Sequence, residues 1–286
     1  MNALGVSTWI WVSPLTDERL ATLAPKIREL GFDLVELPVE HPGDWNPAHA
    51  AEVLASAGLA ASVAAVMPAG RDLLVDDEDV LASTADYLRH CVDVAVAVGS
   101  GVVGGPVYSA VGRTWALTAD ERARAVRVLA ERLRPLAAYA AERGVRLALE
   151  PLNRYETSFV NTVEQGLEIV VAVDSPGLGL LLDTYHLNIE ERDLPAAIRS
   201  AGAWLAHVHA CANDRGSPGR DHLDWPAIAR ALRDVRYEGA LCIESFVPDV
   251  FTIARAASIW RPLAPTQDDL AYEGLVFLRR LFDEVR

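Results

Sequence analysis

The sequence is short of lysine, of cysteine and of long apolar runs, and each shortage excludes a class of protein. Lys26 is the only lysine among 286 residues. A Schiff-base enzyme needs a desolvated lysine in its site, and Lys26 falls in the first predicted helix, so a lysine-dependent aldolase is excluded. The three cysteines, Cys91, Cys211 and Cys242, form neither a CxxC pair nor a disulfide framework. We interpret them as reduced, small apolar residues.

Net positive charge and membrane-spanning segments are also lacking. The formal net charge is −14, which argues against a nucleic-acid partner because phosphate binding depends on clustered cations. In the arginine-rich stretch Glu121–Arg143, arginines alternate with glutamates on a helical pattern, which is typical of a solvated, salt-bridged face. No apolar run reaches the roughly 18 residues of a membrane span, and the first residues lack the pattern of a signal peptide. We therefore expect a cytoplasmic protein with no membrane partner.

Short apolar runs rich in Val, Ile and Leu alternate with longer amphipathic stretches along the whole sequence. This rhythm predicts eight strands and eight helices. The strands are predicted at Leu4–Trp11, Phe32–Pro38, Ala60–Val66, Gly101–Val107, Val145–Leu152, Leu178–Tyr185, Trp204–Ala210 and Ala240–Phe246. The helices are predicted at Asp17–Leu30, Pro47–Ala57, Glu78–Val98, Ala119–Arg143, Val163–Val173, Leu194–Ala201, Pro226–Val235 and Asp269–Glu284.

Eight strand–helix units in a chain of this length match an α/β fold of the (β/α)8 TIM barrel type. A doubly wound open sheet would show the same alternation, but no GxGxxG motif follows the first strand. A hydrophobic content of 51% is enough for one large core. We therefore predict a single TIM barrel domain over residues 1–286.

Acid or imidazole side chains end four successive predicted strands in the second half of the chain. They are Glu150, Asp183, His209 and Glu244, at intervals of roughly 30 residues, the length of one strand–helix unit. Any one of them alone would more often be a helix cap or a solvated loop residue. Parallel strands of a barrel, however, bring their carboxyl ends together at the face where TIM-barrel active sites lie. The four groups are therefore expected to converge.

Three carboxylates gathered at one point require a cation or shared protons, because like charges cannot all stay ionised together. An oxygen-rich set with one nitrogen suits Mn²⁺, Mg²⁺ or Co²⁺ better than a metal that prefers thiolates. His207 and His209 share one strand face, and His209 is the predicted ligand because it is nearer the strand end. The four residues therefore predict a divalent-metal enzyme site.

Five stretches, all from the second half, carry a family resemblance. They are LALEPLNRYETSFVNT, LLLDTYHLNIEE, HVHACANDRGSPGRDHLDW, CIESF and SIWRPLAPTQDDLAYEGLVFLR. They resemble the ketose 3-epimerases, that is the D-tagatose 3-epimerase and D-allulose (psicose) 3-epimerase family within the xylose-isomerase-like TIM barrels. The first half is similar less specifically. Asp221 departs from the pattern because a glycine is expected at this place in the family's loop.

The resemblance implies an isomerase that interconverts the C3 epimers of free ketoses through a cis-enediolate. The implied substrates are pairs such as D-fructose and D-allulose or D-tagatose and D-sorbose, or ketoses of the L-ribulose type. The resemblance further implies one metal ion, commonly Mn²⁺ with Co²⁺ or Mg²⁺ as alternatives, held by Glu150, Asp183, His209 and Glu244. Of these, Glu150 and Glu244 would also be the catalytic acid/base pair.

Three further positions match family residues that contact the C1–C2 end of the substrate: Glu156, His186 and Arg215. Family members are often homodimers or homotetramers, and we expect one of these states. The roles of five other residues stay open: Trp9, Trp11, Glu36, Tyr108 and Trp115.

Other functions stay open on this evidence. An aldose–ketose isomerase, such as a hydroxypyruvate or inosose isomerase, would use the same metal and glutamates to move a proton between C1 and C2. A lyase acting on a 3-keto-sugar would form a similar enolate. A non-catalytic sugar-binding barrel would be expected to lose a ligand or an acid/base residue, and all seven matched positions are intact. Phosphorylated sugars are disfavoured because the last two loops lack a Gly-rich phosphate cradle.

Overall fold

Eight parallel strands form a closed barrel in the computed structural model, which describes residues 2–284. Neighbouring strands follow chain order, and the last strand pairs with the first. The strands are β1 Leu4–Ser7, β2 Leu34–Val39, β3 Ala60–Ala65, β4 Val102–Gly105, β5 Arg146–Leu149, β6 Leu178–Asp183, β7 Leu205–His209 and β8 Leu241–Ile243. Each overlaps one predicted strand. The predicted (β/α)8 barrel is confirmed, and the open sheet is wrong.

The described residues also form ten α-helices. They are α1 Asp17–Leu30, α2 Pro47–Ala57, α3 Glu78–Val98, α4 Ala119–Ala141, α5 Val163–Val173, α6 Thr184–Glu190, α7 Leu194–Ala201, α8 Trp225–Asp234, α9 Phe251–Ala256 and α10 Gln267–Glu284. Eight of them agree with the predicted helices to within a few residues. The short helices α6 and α9 are not predicted, and both follow strands that contribute to the site.

Side-chain caps decide where several helices begin. At α4, Thr118 Oγ1 accepts a hydrogen bond from the backbone N–H of Glu121, and Glu121 Oε2 accepts one from the N–H of Thr118 at 2.8 Å. At α6 the cap is Asp183, the last residue of β6, whose Oδ1 accepts from the backbone N–H of Tyr185 at 2.8 Å. The chain therefore passes from strand to helix with no loop between them.

The strands are buried on both faces, as expected where helices cover the outside of a parallel barrel. In β2 and β6 every residue is buried. All eight strands are shorter than predicted, and β1, β5 and β8 are shortened most. Thr8–Ile10 form a 3₁₀ turn that ends β1 at Ser7, and β5 and β8 end one residue before Glu150 and Glu244. The apolar runs continue past these strand ends because the loops that follow are buried as well.

Among residues 2–284, no helix is both long enough and apolar enough to span a bilayer.

Candidate metal centre

The four predicted ligands lie together at the carboxyl end of the barrel. Asp183 and His209 are the last residues of β6 and β7 and are direct neighbours in the strand register. Glu150 and Glu244 follow β5 and β8. His209 Nδ1 lies 3.6 Å from Glu244 Oε2 and 3.9 Å from Glu150 Oε1. One ligand atom from each of Glu150, Asp183 and His209 lies within 4.8 Å of the others. The fold thus brings together the residues singled out in the sequence.

The imidazole of His209 has one satisfied and one unsatisfied nitrogen. Its Nε2 lies 3.0 Å from Glu36 Oε1. Its Nδ1 is buried and has no hydrogen-bond partner among the described residues. A buried polar atom without a partner is costly and calls for a ligand. Because Nδ1 faces two carboxylates, a divalent cation fits this position in both charge and donor type.

Burial and mutual repulsion set the charges of the carboxylates. Burial, reinforced by the Glu244 and Asp183 carboxylates, raises the pKa of Glu150 well above its usual range. Burial acts on Glu244 in the same direction, but His209 and Arg215 outweigh it and hold the pKa of Glu244 below its ordinary value. Although burial opposes it, Glu36 and Glu244 raise the pKa of His209. Without a metal, the cluster therefore holds protons that a divalent cation would displace.

Arg215 supplies a fixed positive charge between two of the acids. Its Nη1 lies 2.5 Å from Asp183 Oδ2 and 2.9 Å from Glu244 Oε2. The guanidinium also stacks over Tyr185, 4.0 Å from the ring centroid. The backbone of Arg215 has a φ of 67°, in the left-handed region that non-glycine residues rarely adopt. Such a conformation persists only where the surroundings impose it.

The other two predicted substrate contacts, Glu156 and His186, are joined to each other by Asn153. The Asn153 side chain donates to Glu156 Oε1 at 2.8 Å, and its backbone N–H donates to His186 Nδ1 at 3.0 Å. Burial lowers the pKa of His186 to about 3, so the ring is neutral. Because Nδ1 accepts a hydrogen bond, the ring proton is assigned to Nε2. Nε2 lies 3.1 Å from Arg215 Nη2, but a guanidinium only donates, so the two N–H groups do not bond each other and both face the acids.

His186 and Arg215 place hydrogen-bond donors beside the carboxylates. His186 Nε2 lies 3.7 Å from Asp183 Oδ2 and 3.8 Å from Glu150 Oε1. Both separations exceed hydrogen-bond length, so His186 has a donor to offer to an oxygen placed between them. Glu156, His186 and Arg215 therefore border the point on which the four predicted ligands converge.

A cavity of 360 Å³ opens beside Arg215. This volume lies at the lower end of the range for small-molecule sites. Part of its wall is the segment that precedes α10. The lining residues are Tyr185, Asn213, Asp214, Arg215, Ala257, Ser258, Ile259, Trp260, Arg261 and Leu263.

The five residues whose roles the sequence left open take different places. Trp9 packs against Phe246 with ring centroids 5.4 Å apart. Trp11 donates to Asp268 at 2.7 Å, and Trp115 stacks on Phe159. Tyr108 is fully buried. These contacts tie loops and strands together, whereas Glu36 lies directly behind His209.

Asp221, the departure from the family pattern, stabilises its own loop. Its Oδ1 accepts from the backbone N–H of Leu223 at 2.8 Å and from Trp225 Nε1 at 2.9 Å. Trp225 begins α8. The carboxylate therefore holds the loop between β7 and α8 without reaching the centre.

Sequence reasoning did not assign a role to Glu36 or Asn153. The signal for Glu36 is visible, since it is the only charged residue in the buried run Leu34–Val39. Asn153 gives no such signal, because a loop asparagine is common and its role depends on bonding Glu156 and His186 together.

Comparison with known proteins agrees with this geometry. The family model described as Xylose isomerase-like TIM barrel matches residues 24–281. A probable ketose 3-epimerase of Synechocystis sp. (strain ATCC 27184 / PCC 6803 / Kazusa) is 34% identical over 97% of this chain and 96% of its own length. A ketose 3-epimerase of Arthrobacter globiformis is 32% identical, with 96% and 95% covered. A solved structure of L-ribulose 3-epimerase superposes with a TM-score of 0.93 at 29% identity and covers 100% of this chain and 96% of its own.

Proposed function

The chain belongs to the ketose 3-epimerases of the xylose-isomerase-like TIM barrel family, and we propose that it inverts C3 of free ketoses in a metal-dependent reaction. The family makes it a carbohydrate isomerase. The observation that carries the metal dependence is the convergence of Glu150, Asp183 and Glu244 on His209 Nδ1, a buried nitrogen with no other partner among residues 2–284.

We propose that Glu150, Asp183, His209 and Glu244 hold one divalent ion, Mn²⁺ first, with Co²⁺ or Mg²⁺ as alternatives. When bound, such an ion supplies Lewis-acid stabilisation of the negative charge that develops on the ketose oxygens. The proton on C3 is too weakly acidic for an unaided carboxylate, so this charge stabilisation is needed in addition to a base.

Glu150 and Glu244 are proposed as the two proton-transfer groups. They follow different strands, β5 and β8, and their carboxylates lie 3.9 and 3.6 Å from His209 Nδ1. A sugar carbon held between them would present one face to each carboxylate. One glutamate then removes the C3 proton to form the enediolate, and the other returns a proton to the opposite face, which inverts the centre.

His186, Arg215 and Glu156 are proposed to hold the C1–C2 end of the ketose. The Nε2–H of His186 and the guanidinium of Arg215 are donors directed towards the acids. They suit O1 and O2, and of these O2 gains negative charge as the C2–C3 enediolate forms. Glu156 is fixed by Asn153 at 2.8 Å and would accept from a substrate hydroxyl. Held in this way, the C1–C3 atoms stay in one plane while the proton moves.

The test is a substrate panel in D₂O with metal-stripped enzyme restored by Mn²⁺, Co²⁺ or Mg²⁺. D-fructose, D-tagatose and L-ribulose are incubated, and the product sugar and the deuterated carbon are identified by NMR. We expect metal-dependent formation of the C3 epimer, with deuterium at C3. Deuterium confined to C1 would contradict the proposal and indicate aldose–ketose isomerisation. Absence of exchange under every metal would contradict metal-dependent epimerisation as well.

We also propose a cytoplasmic location, which the free and buried cysteines Cys91, Cys211 and Cys242 support. A homodimer or homotetramer stays a prediction, which the particle mass in solution checks.

A further inference from the structure

Glu36 is a buried carboxylate behind the candidate metal centre. It lies on β2, is 0% exposed, and meets two imidazoles that come from β7 on the other side of the barrel. Its Oε2 lies 3.0 Å from His207 Nε2, and its Oε1 lies 3.0 Å from His209 Nε2. Ser62 Oγ, from β3, donates to Oε2 at 3.1 Å. Three donors therefore surround one carboxylate.

The groups that meet Glu36 are all able to donate: the Ser62 hydroxyl and the Nε2 atoms of His207 and His209. An ionised carboxylate only accepts hydrogen bonds. Both imidazoles must therefore present an N–H to it, and both do so through Nε2.

This bond determines which nitrogen of His209 is free. With a proton on Nε2 donated to Glu36, the neutral ring has its lone pair on Nδ1. Nδ1 is the atom that lacks a partner among the described residues and faces Glu150 and Glu244. A carboxylate that accepts from the outer nitrogen of a metal-binding histidine orients the ring and makes the other nitrogen a better ligand.

His207 completes the arrangement. Its ring lies edge-on to that of His209, with centroids 5.3 Å apart, and its Nε2 meets Oε2 of Glu36 at 3.0 Å, the oxygen that His209 Nε2 also contacts at 3.2 Å. His207 therefore limits the carboxylate to one orientation, which answers why two histidines occur in this strand when one is the predicted ligand.

We propose that Glu36 is the positioning residue of the metal centre: it fixes the tautomer and the orientation of His209, and thereby sets the affinity for the divalent ion. The inference rests on the proposed metal-dependent function and deepens it. Glu36 is fully buried and its bonds are to His207, His209 and Ser62. It acts through His209 and touches no substrate.

The test compares Mn²⁺ binding to metal-stripped wild type and Glu36→Gln, measured by EPR of the free ion and by calorimetry. Glutamine keeps the shape but loses the charge that both imidazoles need. We expect affinity for Mn²⁺ to fall by about 10- to 100-fold, the usual cost of losing such a partner. At saturating Mn²⁺ the KM for the ketose should stay close to the wild-type value. Imidazole ¹⁵N spectra of the metal-free protein, recorded above the pH at which the His209 ring becomes neutral, should change from one His209 tautomer to a mixture.

The matched control is Glu40→Gln. Glu40 is another acid at the mouth of the barrel, and its carboxylate accepts from Trp9 Nε1 at 3.0 Å and from Ser13 Oγ at 2.8 Å. Its loss should lower thermal stability and leave the affinity for Mn²⁺ unchanged. Ser62→Ala is the milder second variant, since it removes one donor to Glu36 and keeps both imidazole bonds. It should fold even if Glu36→Gln does not, and should weaken Mn²⁺ binding by a smaller factor.

The outcomes separate the two proposals. In one outcome, wild type binds Mn²⁺ and the folded Glu36→Gln and Ser62→Ala proteins bind it equally well. This result would overturn the role of Glu36 and leave the proposed function standing. Equal losses in Glu36→Gln and Glu40→Gln would indicate general destabilisation and overturn the role as well. Wild type that binds no divalent ion would refute the metal-dependent function and this inference with it.

Discussion

The pKa values of the acids in the site depend on the charges of their neighbours. Glu36 and Glu244 are both fully enclosed, yet both have a pKa below the ordinary range because histidine or arginine lies beside them. Glu150, with two acids near it, is raised instead. Position alone therefore shifts the pKa values of two chemically identical side chains, Glu150 and Glu244, in opposite directions, an arrangement that typifies acid/base sites.

The different positions of Glu150 and Glu244 lead to a prediction on proton exchange. If each glutamate serves one face of C3, Glu150→Gln and Glu244→Gln should each lose epimerisation by about 10²- to 10⁴-fold. Each variant should nevertheless keep solvent exchange at C3 with one epimer, because the remaining carboxylate can remove and return that proton. The two variants should favour opposite epimers. Deuterium uptake into D-fructose and D-allulose at saturating Mn²⁺ measures this, and exchange by both variants with the same epimer would refute the division of roles.

Cys211 gives the centre a soft atom. Its Sγ lies 3.2 Å from Arg215 Nη1, the nitrogen that also contacts Asp183 and Glu244, and ligand atoms of these two acids and Cys211 lie within 4.8 Å of one another. Burial, with Asp183 adding to it, raises the pKa of the thiol. The sulfur therefore stays protonated until an ion that prefers thiolate displaces the proton.

We expect Cys211→Ala to weaken Cd²⁺ binding by about 10-fold or more, the size typical of losing one metal contact, while Mn²⁺ binding stays unchanged. Displacement of bound Mn²⁺ by Cd²⁺, followed by EPR, measures both affinities at once. Cys91→Ala is the control, because Cys91 is equally buried but lies on α3. Equal Cd²⁺ affinity in wild type and Cys211→Ala would show that the sulfur does not bind the ion.

The candidate ligands could largely be predicted from residue type. The hydrogen bonds that hold them in place could not. Acids that end apolar runs, such as Glu150 and Glu244, are visible in the sequence because a charge interrupts a hydrophobic pattern. The bonds from Asn153 to His186 and from Glu36 to His209 join residues far apart in the chain. Such pairings depend on how the barrel closes, which local pattern does not report.

At the level of whole elements, Asp183 explains why α6 was not predicted. The apolar run Leu178–Asp183 reads as a strand that continues into the next residues. Asp183 uses Oδ1 to cap α6 and directs Oδ2 to Arg215. One residue therefore ends a strand, starts a helix and faces the centre. The helix places His186 in its first turn, beside the site, without any loop that a sequence pattern would mark.

The end of β4 supports the centre through Gly105. Its carbonyl accepts from the backbone N–H of Glu150 at 3.1 Å, its φ is +131°, and an added Cβ would lie 2.5 Å from the carbonyl oxygen of Ala65. Only glycine is relaxed in this conformation.

We predict that Gly105→Ala destabilises the protein by about 1–3 kcal/mol, the range for one strained backbone position, and weakens Mn²⁺ binding by displacing Glu150. Urea unfolding and Mn²⁺ titration measure the two effects. Gly101→Ala is the control, because nothing lies within 4 Å of a Cβ at that position. Equal stability of the two variants would contradict the strain at Gly105.

On the scale of the molecule, the barrel was predictable because strand and helix rhythm is a local property repeated along the chain. The lengths of β1, β5 and β8 were overestimated, since apolar residues continue into buried loops that pack over the strand ends. The sequence does not predict the segment that forms the wall of the cavity beside Arg215. This segment includes Ala257, which follows α9. It is built by a long connection between β8 and α10, and its position depends on what it packs against.

The ligand set spans most of the second half of the barrel, so metal binding and folding of the whole molecule should be coupled. Glu150, Asp183, His209 and Glu244 lie at the carboxyl ends of four different strands, and an unfolded chain cannot hold them together. An ion that binds the folded protein alone stabilises it by about 2.7 kcal/mol at a free concentration 100 times Kd. We therefore expect the unfolding temperature of metal-stripped protein to rise steadily with added Mn²⁺. Asp183→Asn should remove most of this rise, whereas Glu40→Gln, which alters an acid outside the set, should keep it. A rise of equal size in Asp183→Asn would mean that Mn²⁺ acts elsewhere on this acidic protein, and no rise in wild type would contradict a metal site in the barrel.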